Sequence, residues 1–300
     1  MGSRPFPGWL DGAPDWFARL AQFGSLVPRT QIAGPGDLSR LLDRGVPALV
    51  SGIDAGEAVR SWSAESLAAR IGTRPLRVEC YDSNDWFAPA RYEYMTFADF
   101  LSRSANDESR KYYLADVSLA DSLPDLATDF PFPAVIPSPR VPLRTLYLRT
   151  DTISAAHFHS RTQVLHFPIV GSRYFALYSP SQSRLLYREP WYSQHYYFSR
   201  VPFDRLRPED YPRLAHAQPL VCKLLPGDVL YIPLHWWHLV TSLGFGIAIT
   251  CAWRADWGHW AINYSSLISF LQLYLLPKKW RGLRCAAIPC GLPKKWRGLR

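Results

Sequence analysis

Hydrophobic and polar positions alternate in two different ways along the chain. Residues 1–105 mix helical and extended patterns. Amphipathic stretches near 36–44 and 62–71 indicate helices, and the apolar run at 47–52 indicates a buried strand. We therefore predict that a layer of helices flanks a sheet in this region.

From about residue 111 the pattern changes to short aromatic and β-branched runs separated by Pro, Gly, Ser and Asp. Such runs, with turn residues between them, are typical of strands, and a succession of them indicates a sandwich or a barrel. The longer segment 181–218, rich in Tyr, Arg and Pro, suits an excursion that covers one mouth of a barrel. The strand candidates are 111–115, 144–150, 162–167, 173–179, 219–224, 229–232, 237–242 and 246–253.

Composition limits the class of protein. The chain has 300 residues, of which 48% are apolar and 20% charged, enough for one substantial core with appendages. No apolar run reaches the roughly 18 residues of a membrane span, and the N-terminus lacks the order of a signal peptide. The five cysteines are scattered without a CxxC pair, so neither a disulfide framework nor a zinc knuckle is indicated. We expect a cytoplasmic protein with reduced thiols.

The formal net charge of +9 lies almost entirely in a tail. The segment LPKKWRGLR occurs at 276–284 and again at 292–300, with four basic residues and no acid in each copy. The rest of the chain is nearly neutral, which argues against nucleic acid bound by the barrel. A basic tail containing Trp would suit contact with an acidic membrane surface or RNA. We favour the alternative that it is an unstructured, duplicated terminus.

The segment before the tail, WAINYSSLISFLQLYL at 260–275, has the pattern of one apolar helix. It is too short to span a bilayer and is a candidate contact for a homodimer. The predicted organisation is then a mixed N-terminal region packed on a barrel, the barrel, the apolar helix and a disordered tail. The corresponding ranges are 1–105, 106–255, 256–275 and 276–300.

Three histidines have the spacing of metal ligands. His157 and His159 lie two residues apart on a predicted strand, so their side chains project to the same face. The segment GDVLYIPLHWWH at 227–238 reads as a turn, a strand and a second turn, and ends in His238. This arrangement predicts one metal ion bound by the three imidazoles. The nearby His166 and His235 are interpreted as packing residues or as supports for the ligands.

These motifs resemble the cupin pattern, in which HxH, an acidic or amide residue and a Gly are followed far downstream by G(x)5P and a distal His. The chain is most similar to the JmjC and cupin-like 2-oxoglutarate oxygenases, which include the HIF asparaginyl hydroxylase, the arginyl hydroxylases and the wybutosine tRNA hydroxylase. The resemblance covers about residues 30–255 and implies a mainly β fold with flanking helices, the double-stranded β-helix or jelly-roll barrel of the JmjC type. The matching residues and segments are His157, His159, Gln163, Gly171, Gly227, Pro233, His238, YYLADVSL at 112–119, GSRYFALYSP at 171–180, GDVLYIPLHWWHLVTS at 227–242 and Trp253.

The resemblance implies Fe(II) as the metal and 2-oxoglutarate as the cosubstrate, with no catalytic residue beyond the metal ligands. The family has a carboxylate at the second ligand position, where this chain has His159. A neutral imidazole there makes the site more positive by one unit and favours later first-row metals. The family's cosubstrate anchors match Tyr113, Ser154 and Arg173, and Gln163 would donate a hydrogen bond near the metal.

Each of the cosubstrate positions also has a purely structural interpretation. Tyr113 fits a core aromatic, Ser154 a turn residue, and Arg173 a surface cation. Gln163 could serve only to satisfy backbone groups. The role of each of these residues is therefore open. The sequence does not identify the substrate.

The resemblance implies an Fe(II)- and 2-oxoglutarate-dependent hydroxylase that acts on a protein side chain or a small molecule. The excursion at 181–218, with its Tyr-rich stretch WYSQHYY at 191–197, would shape the substrate entrance. Two alternatives remain. One is a metal-binding, cupin-like scaffold protein without 2-oxoglutarate turnover, suggested by His159. The other is an all-histidine dioxygenase that binds its substrate directly to iron.

Overall fold

Strands dominate the part of the chain that this computed structural model describes, which comprises residues 11–82, 91–136, 143–190, 193 and 195–254. Its α-helices are α1 Asp15–Ala21, α2 Pro35–Arg44, α3 Glu57–Ser61, α4 Ala64–Ile71, α5 Phe97–Asn106, α6 Leu119–Ser122 and α7 Pro124–Ala127. Its strands are β1 Ser25–Leu26, β2 Arg29–Gln31, β3 Ala48–Ser51, β4 Pro75–Tyr81, β5 Arg91–Thr96, β6 Lys111–Ser118, β7 Leu143–Ile153, β8 Thr162–Val170, β9 Arg173–Tyr178, β10 Leu220–Leu224, β11 Val229–Ile232 and β12 Trp237–Arg254. Short 3₁₀ turns occupy Pro180–Arg184, Phe203–Arg205, Pro208–Asp210 and Pro212–His216.

The strands from β7 to β12 wind into a double-stranded β-helix. The second half of β12 lies between β7 and β8, and β8 also pairs with β11, which forms the larger sheet. The first half of β12 pairs with β9, and β9 pairs with β10, which forms the smaller sheet. Strand β12 passes from the smaller sheet to the larger one where its register on β7 shifts, between Ser242 and Phe245.

Strands from the N-terminal region extend the larger sheet at both edges. At one edge β3 pairs antiparallel with β11, and β2 pairs parallel with β3. At the other edge β6 pairs with β7, followed by β4 and β5. The predicted division of the chain at residues 105 and 106 remains a prediction, and the strands on its two sides are hydrogen-bonded into one sheet.

Three buried clusters define the layers around the site. The first lies between the two sheets and forms the barrel interior; it includes Val164, Phe175, Leu177, Leu230, Ile232 and Val240. The second lies between the larger sheet and helices α2, α4 and α5; it includes Leu38, Leu67, Phe100, Leu165, Phe167 and Tyr231. The third lies outside the smaller sheet, under α1 and the excursion; it includes Phe17, Phe158, Tyr174, Phe203 and Trp237. A side chain in the barrel interior is therefore shielded by packed layers on both sides.

The predicted fold class, a mainly β barrel with flanking helices, is confirmed. Each strand candidate from residue 111 onward coincides with an observed strand, except that 237–242 and 246–253 form one continuous strand. Pro168 and Val170 pair with consecutive residues of β12, so Ile169 is an extra residue at a bulge.

In the described part of the chain, no helix is both long and apolar enough to cross a membrane. Cys80, Cys222 and Cys251 are buried thiols. Cys285 and Cys290 lie outside the described residues, as do the apolar segment at 260–275 and the duplicated tail. The predicted homodimer contact and tail contacts remain predictions.

Candidate metal centre

The backbones of two predicted ligands are hydrogen-bonded to each other. The N–H of His157 donates to the carbonyl oxygen of His238 at 3.0 Å, and the N–H of His238 donates to the carbonyl of His157 at 2.7 Å. The two residues therefore form a hydrogen-bonded antiparallel pair at one end of the smaller sheet. Side chains of directly paired residues project to the same face, so this backbone pairing brings the two imidazoles together.

The prediction of a strand at His157 and His159 is wrong, because His157 forms only an isolated bridge in the segment between β7 and β8. Side-chain directions nevertheless alternate along residues 157–159 and 236–238, so the three imidazoles lie on one side. Phe158 and Trp237 point the other way and pack on each other with ring centroids 4.8 Å apart. The ring of His157 lies 4.2 Å from that of His238 and 5.5 Å from that of His159, centroid to centroid. One potential ligand atom from each of the three residues lies within 4.8 Å of the other two. The structure thus brings the three predicted ligands together.

Hydrogen bonds fix the tautomer of two of the rings. Nδ1 of His157 donates to the carbonyl oxygen of Ala155 at 2.8 Å, and Nδ1 of His238 donates to that of Trp236 at 3.1 Å. A ring that donates through Nδ1 keeps the lone pair on Nε2, the form that binds a metal. The donor set of three imidazoles therefore fits a divalent transition metal. Ligand atoms about 2.1 Å from one ion lie at most about 4.2 Å apart, so binding would draw the widest pair slightly inward.

Burial keeps two of the three imidazoles, those of His159 and His238, neutral. Desolvation, together with the nearby ring of His157, lowers the pKa of His159 to about 3. Burial and the two other rings hold the pKa of His238 well below its ordinary value. A neutral imidazole can donate its lone pair without first losing a proton, so these two rings can bind a metal at neutral pH.

The two other histidines of these motifs have different positions. His166 lies in the barrel interior, where Nδ1 is 3.1 Å from the hydroxyl of Thr250 and the ring meets the edge of Phe175. His235 is buried at a turn with φ of 64°, and its N–H donates to the carbonyl oxygen of His159 at 2.9 Å. The backbone of His235 therefore holds the segment that carries a candidate ligand.

The excursion reaches the candidate metal centre. The N–H of Phe158 donates to the carbonyl oxygen of Tyr197 at 3.1 Å, and the N–H of Ser199 donates to that of Ala156 at 2.8 Å. The ring of Phe198 lies 5.5 Å from that of His157. Residues 191, 192 and 194 of the Tyr-rich stretch lie outside the described residues. The sequence pointed to the aromatic stretch but not to Phe198, which directly follows it.

Arg173 lies in the barrel interior. It begins β9 on the same face as Phe175 and Leu177, which line the space between the two sheets, and it is 1% exposed. The alternative interpretation of Arg173 as a surface cation is therefore wrong. A buried guanidinium is costly unless anionic or polar groups surround it, so this position is compatible with the predicted role of Arg173 as a carboxylate anchor.

Tyr113 and Ser154 occupy positions compatible with both of their interpretations. Tyr113 faces away from the helix-side core that contains Leu114, and its ring centroid lies 6.2 Å from that of Tyr147. The hydroxyl oxygen of Ser154 accepts a hydrogen bond from the N–H of Val240 at 3.0 Å. This bond uses the hydroxyl as an acceptor, so the O–H of Ser154 can still donate to a ligand.

Gln163 lies on the other face of β8. It shares that face with Leu165, and its Oε1 accepts a short hydrogen bond from the hydroxyl of Tyr231. Both neighbours belong to the core between the larger sheet and the helices, outside the barrel interior. Gln163 is thus directed away from the space that a cosubstrate would occupy, and it is not part of the site proposed below.

Comparisons with known proteins agree with this architecture. A pattern that describes the cupin-like domain matches residues 37–259. The chain is 28% identical over 229 residues to lysine-specific demethylase 8 of Danio rerio, an alignment that covers 72% of this chain and 55% of that protein. The corresponding protein of Xenopus tropicalis is 26% identical over 218 residues, with coverages of 69% and 48%. The chain therefore spans about half the length of these demethylases.

A second group of relatives has a different named role. The chain is 27% identical over 240 residues to tRNA wybutosine-synthesizing protein 5 of Danio rerio, an alignment that covers 69% of this chain and 68% of that protein. The cupin-like pattern covers the barrel, the candidate metal centre and most of the N-terminal region, which is well over half of the chain. The predicted family is thereby confirmed: the chain belongs to the cupin-like domain family and groups with its JmjC-like members.

Proposed function

We propose that the protein is an Fe(II)- and 2-oxoglutarate-dependent oxygenase that hydroxylates a protein side chain or a small molecule. The observation that carries this proposal is that three imidazoles with the spacing of metal ligands and a buried guanidinium lie on the inner side of the same barrel. A metal and a carboxylate are the partners that such groups select. Together these groups would bind an acid that coordinates a metal at one end and meets an arginine at the other.

His157, His159 and His238 would hold the iron, since imidazole suits iron among other first-row metals. The bound metal and 2-oxoglutarate would together supply the activation of O₂, with net conversion of a C–H bond, O₂ and 2-oxoglutarate into an alcohol, succinate and CO₂. The protein's part is to fix the ligands through backbone hydrogen bonds and to exclude water with packed layers on both sides of the barrel.

Arg173 would bind the distal carboxylate of 2-oxoglutarate. Its planar guanidinium can form two parallel hydrogen bonds to a carboxylate, and burial strengthens this attraction. Tyr113 and Ser154 would add hydroxyl donors, as the family resemblance implies. Phe198, next to the ring of His157, would form one wall of the entrance through which the substrate approaches.

The class of substrate is an inference from the relatives. By their names, some act on lysine and others in the synthesis of wybutosine in tRNA. The nearly neutral charge of residues 1–275 favours a protein or small-molecule substrate over an extended nucleic acid. The barrel and its entrance are the surfaces on which that substrate would be selected.

The test is an anaerobic titration of purified protein with Fe(II) and then with 2-oxoglutarate, followed by exposure to O₂. The proposal predicts a visible metal-to-ligand charge-transfer band in the ternary complex and formation of succinate. Correctly folded protein that yields neither a band nor succinate would contradict it. Omission of 2-oxoglutarate is the control, since turnover without it identifies an all-histidine dioxygenase instead.

The identity of residue 159 favours a second candidate function, metal binding without 2-oxoglutarate turnover. A carboxylate ligand would neutralise one charge of the metal, whereas His159 leaves that charge in place. The variant His159→Asp separates the two functions. A degenerate site gains succinate formation in this variant, whereas an active all-histidine site loses the activity of the wild-type protein.

A further inference from the structure

Ser242 has a buried hydroxyl group for which the described part of the chain shows no hydrogen-bond partner. The residue is 1% exposed. Buried hydroxyl groups are nearly always hydrogen-bonded, so a buried one without a partner points to a ligand or a bound solvent molecule. Ser242 is the last residue of the segment 227–242 that carries the family resemblance, but the sequence analysis assigns it no role.

The hydroxyl faces the barrel interior directly beside Arg173. Ser242 and Arg173 are paired residues of β12 and β9, so their side chains leave the sheet on the same face about 5 Å apart at Cβ. The next inward-facing pair along these strands is Val240 with Phe175, both in the interior cluster. Ser242 therefore has the same orientation as the buried guanidinium.

We propose that Ser242 and Arg173 together bind the distal carboxylate of the acid that occupies the barrel, with Ser242 donating its O–H. This inference rests on the proposed function and adds a residue to its site. A carboxylate has about four lone-pair sites, so a bidentate arginine leaves room for a further donor. The hydroxyl, which has no partner among the described residues, gains one in the complex.

The order of side chains along the interior defines the class of ligand. His238, at the metal end, and Ser242 are four residues apart on β12, which is about 13 Å of strand. Between them lies the apolar pair Val240 and Phe175. The interior is thus polar at both ends and apolar in the middle. This pattern matches a dicarboxylic 2-oxo acid whose methylene groups cross the apolar zone.

The experiment compares two acids on metal-loaded protein without turnover. Zn(II) binds imidazole and has no redox chemistry, so calorimetric titrations of the Zn(II) form report binding alone. The probes are 2-oxoglutarate and 2-oxobutyrate, which shares the metal-binding end but lacks the distal carboxylate. Ser242→Ala should weaken 2-oxoglutarate binding about tenfold or more, the effect of losing a hydrogen bond to a charged group. Binding of 2-oxobutyrate should not change.

Two further variants control for effects on the fold. Ser242→Cys keeps the size of the side chain but donates weakly, and it should weaken 2-oxoglutarate binding in the same selective way. Ser104→Ala removes another buried hydroxyl that has no partner among the residues with described positions. Ser104 lies on α5, away from the barrel interior, so this variant should change neither affinity. Thermal unfolding of each variant verifies that it is folded.

The outcomes separate this inference from the proposed function. If wild-type protein binds 2-oxoglutarate and the Ser242 variants bind it equally well, the assignment of Ser242 is wrong and the proposed function stands. An equal loss of affinity for both acids would also overturn the assignment, because the effect would not depend on the distal carboxylate. If wild-type protein binds neither acid with Zn(II) or with anaerobic Fe(II), the proposed function itself fails.

Discussion

His157 and His159 lie two residues apart in the segment between β7 and β8, yet of these two only His157 has its ring oriented by a hydrogen bond within the described part of the chain. Nδ1 of His157 donates to the carbonyl of Ala155, whereas Nδ1 of His159 is buried and has no hydrogen-bond partner within the described part of the chain. Ligand rings are usually oriented by such a bond. His159 is therefore the least constrained of the three candidate ligands, and it stands where the family has a carboxylate.

This difference predicts the effect of His159→Asp on the choice of metal. The variant should still bind one ion per chain, because His157 and His238 keep their orientation. Its preference should shift from Zn(II) towards Fe(II), since a carboxylate is a harder ligand than imidazole and offsets one positive charge. Competition titrations under anaerobic conditions measure the ratio of the two affinities. An unchanged ratio would show that residue 159 does not contact the ion.

The carboxyl group of Asp116 allows a test of how a buried charge affects the stability of the fold. It lies at a register shift in β6 with φ of 53°, and its carboxylate accepts a hydrogen bond from the hydroxyl of Tyr147 at 2.5 Å. Burial raises the pKa of this carboxyl in the folded protein. In the unfolded chain the pKa of this carboxyl is near 4. Above that pH the unfolded chain loses the proton before the folded protein does, so Asp116 destabilises the fold at neutral pH.

The variant Asp116→Asn should therefore increase the free energy of unfolding at pH 7.5 and have little effect near pH 3.5. Asparagine tolerates the left-handed backbone and still accepts the bond from Tyr147. Urea denaturation at the two pH values measures the difference. A gain of the same size at both values would mean that the effect is not due to the charge of Asp116.

Because His235 is buried, the protein should lose stability in acid. Burial lowers its pKa to about 4, against about 6.5 in the unfolded chain. Between these values the unfolded state binds the extra proton, so stability falls as pH falls, by up to about 1.4 kcal/mol per pH unit from this residue. The variant His235→Asn, which tolerates the observed φ of 64°, should lose about 2 kcal/mol less than the wild type between pH 7 and pH 5. Equal losses in metal-free wild type and variant would contradict this assignment.

Much of the fold and the candidate ligands could be predicted from the sequence, because they depend on short-range patterns. Alternation within the HxH segment puts His157 and His159 on one face, and the turn signals around 227–238 place His238 on a neighbouring strand. The same alternation could have corrected the prediction for Gln163. It lies an odd number of positions before His166 on one strand, so it faces the opposite side of β8.

Other features depend on long-range pairing that no local pattern reveals. Strands β4 and β5 join the sheet only because β6 provides an edge for them. The position of Ser242 beside Arg173 follows from the register of β12 on β9, set by contacts across about 70 residues of sequence. A serine is also too common a residue to stand out without that register.

The most direct test of the account is a titration of metal-free protein with Fe(II) under anaerobic conditions, for the wild type and for a variant in which His157, His159 and His238 are all replaced by alanine. His216→Ala, which removes an exposed histidine, is the matched control. The account predicts one tightly bound ion per chain in the wild type and in the control, and none in the triple variant. A triple variant that is folded and still binds one ion as tightly as the wild type would contradict it.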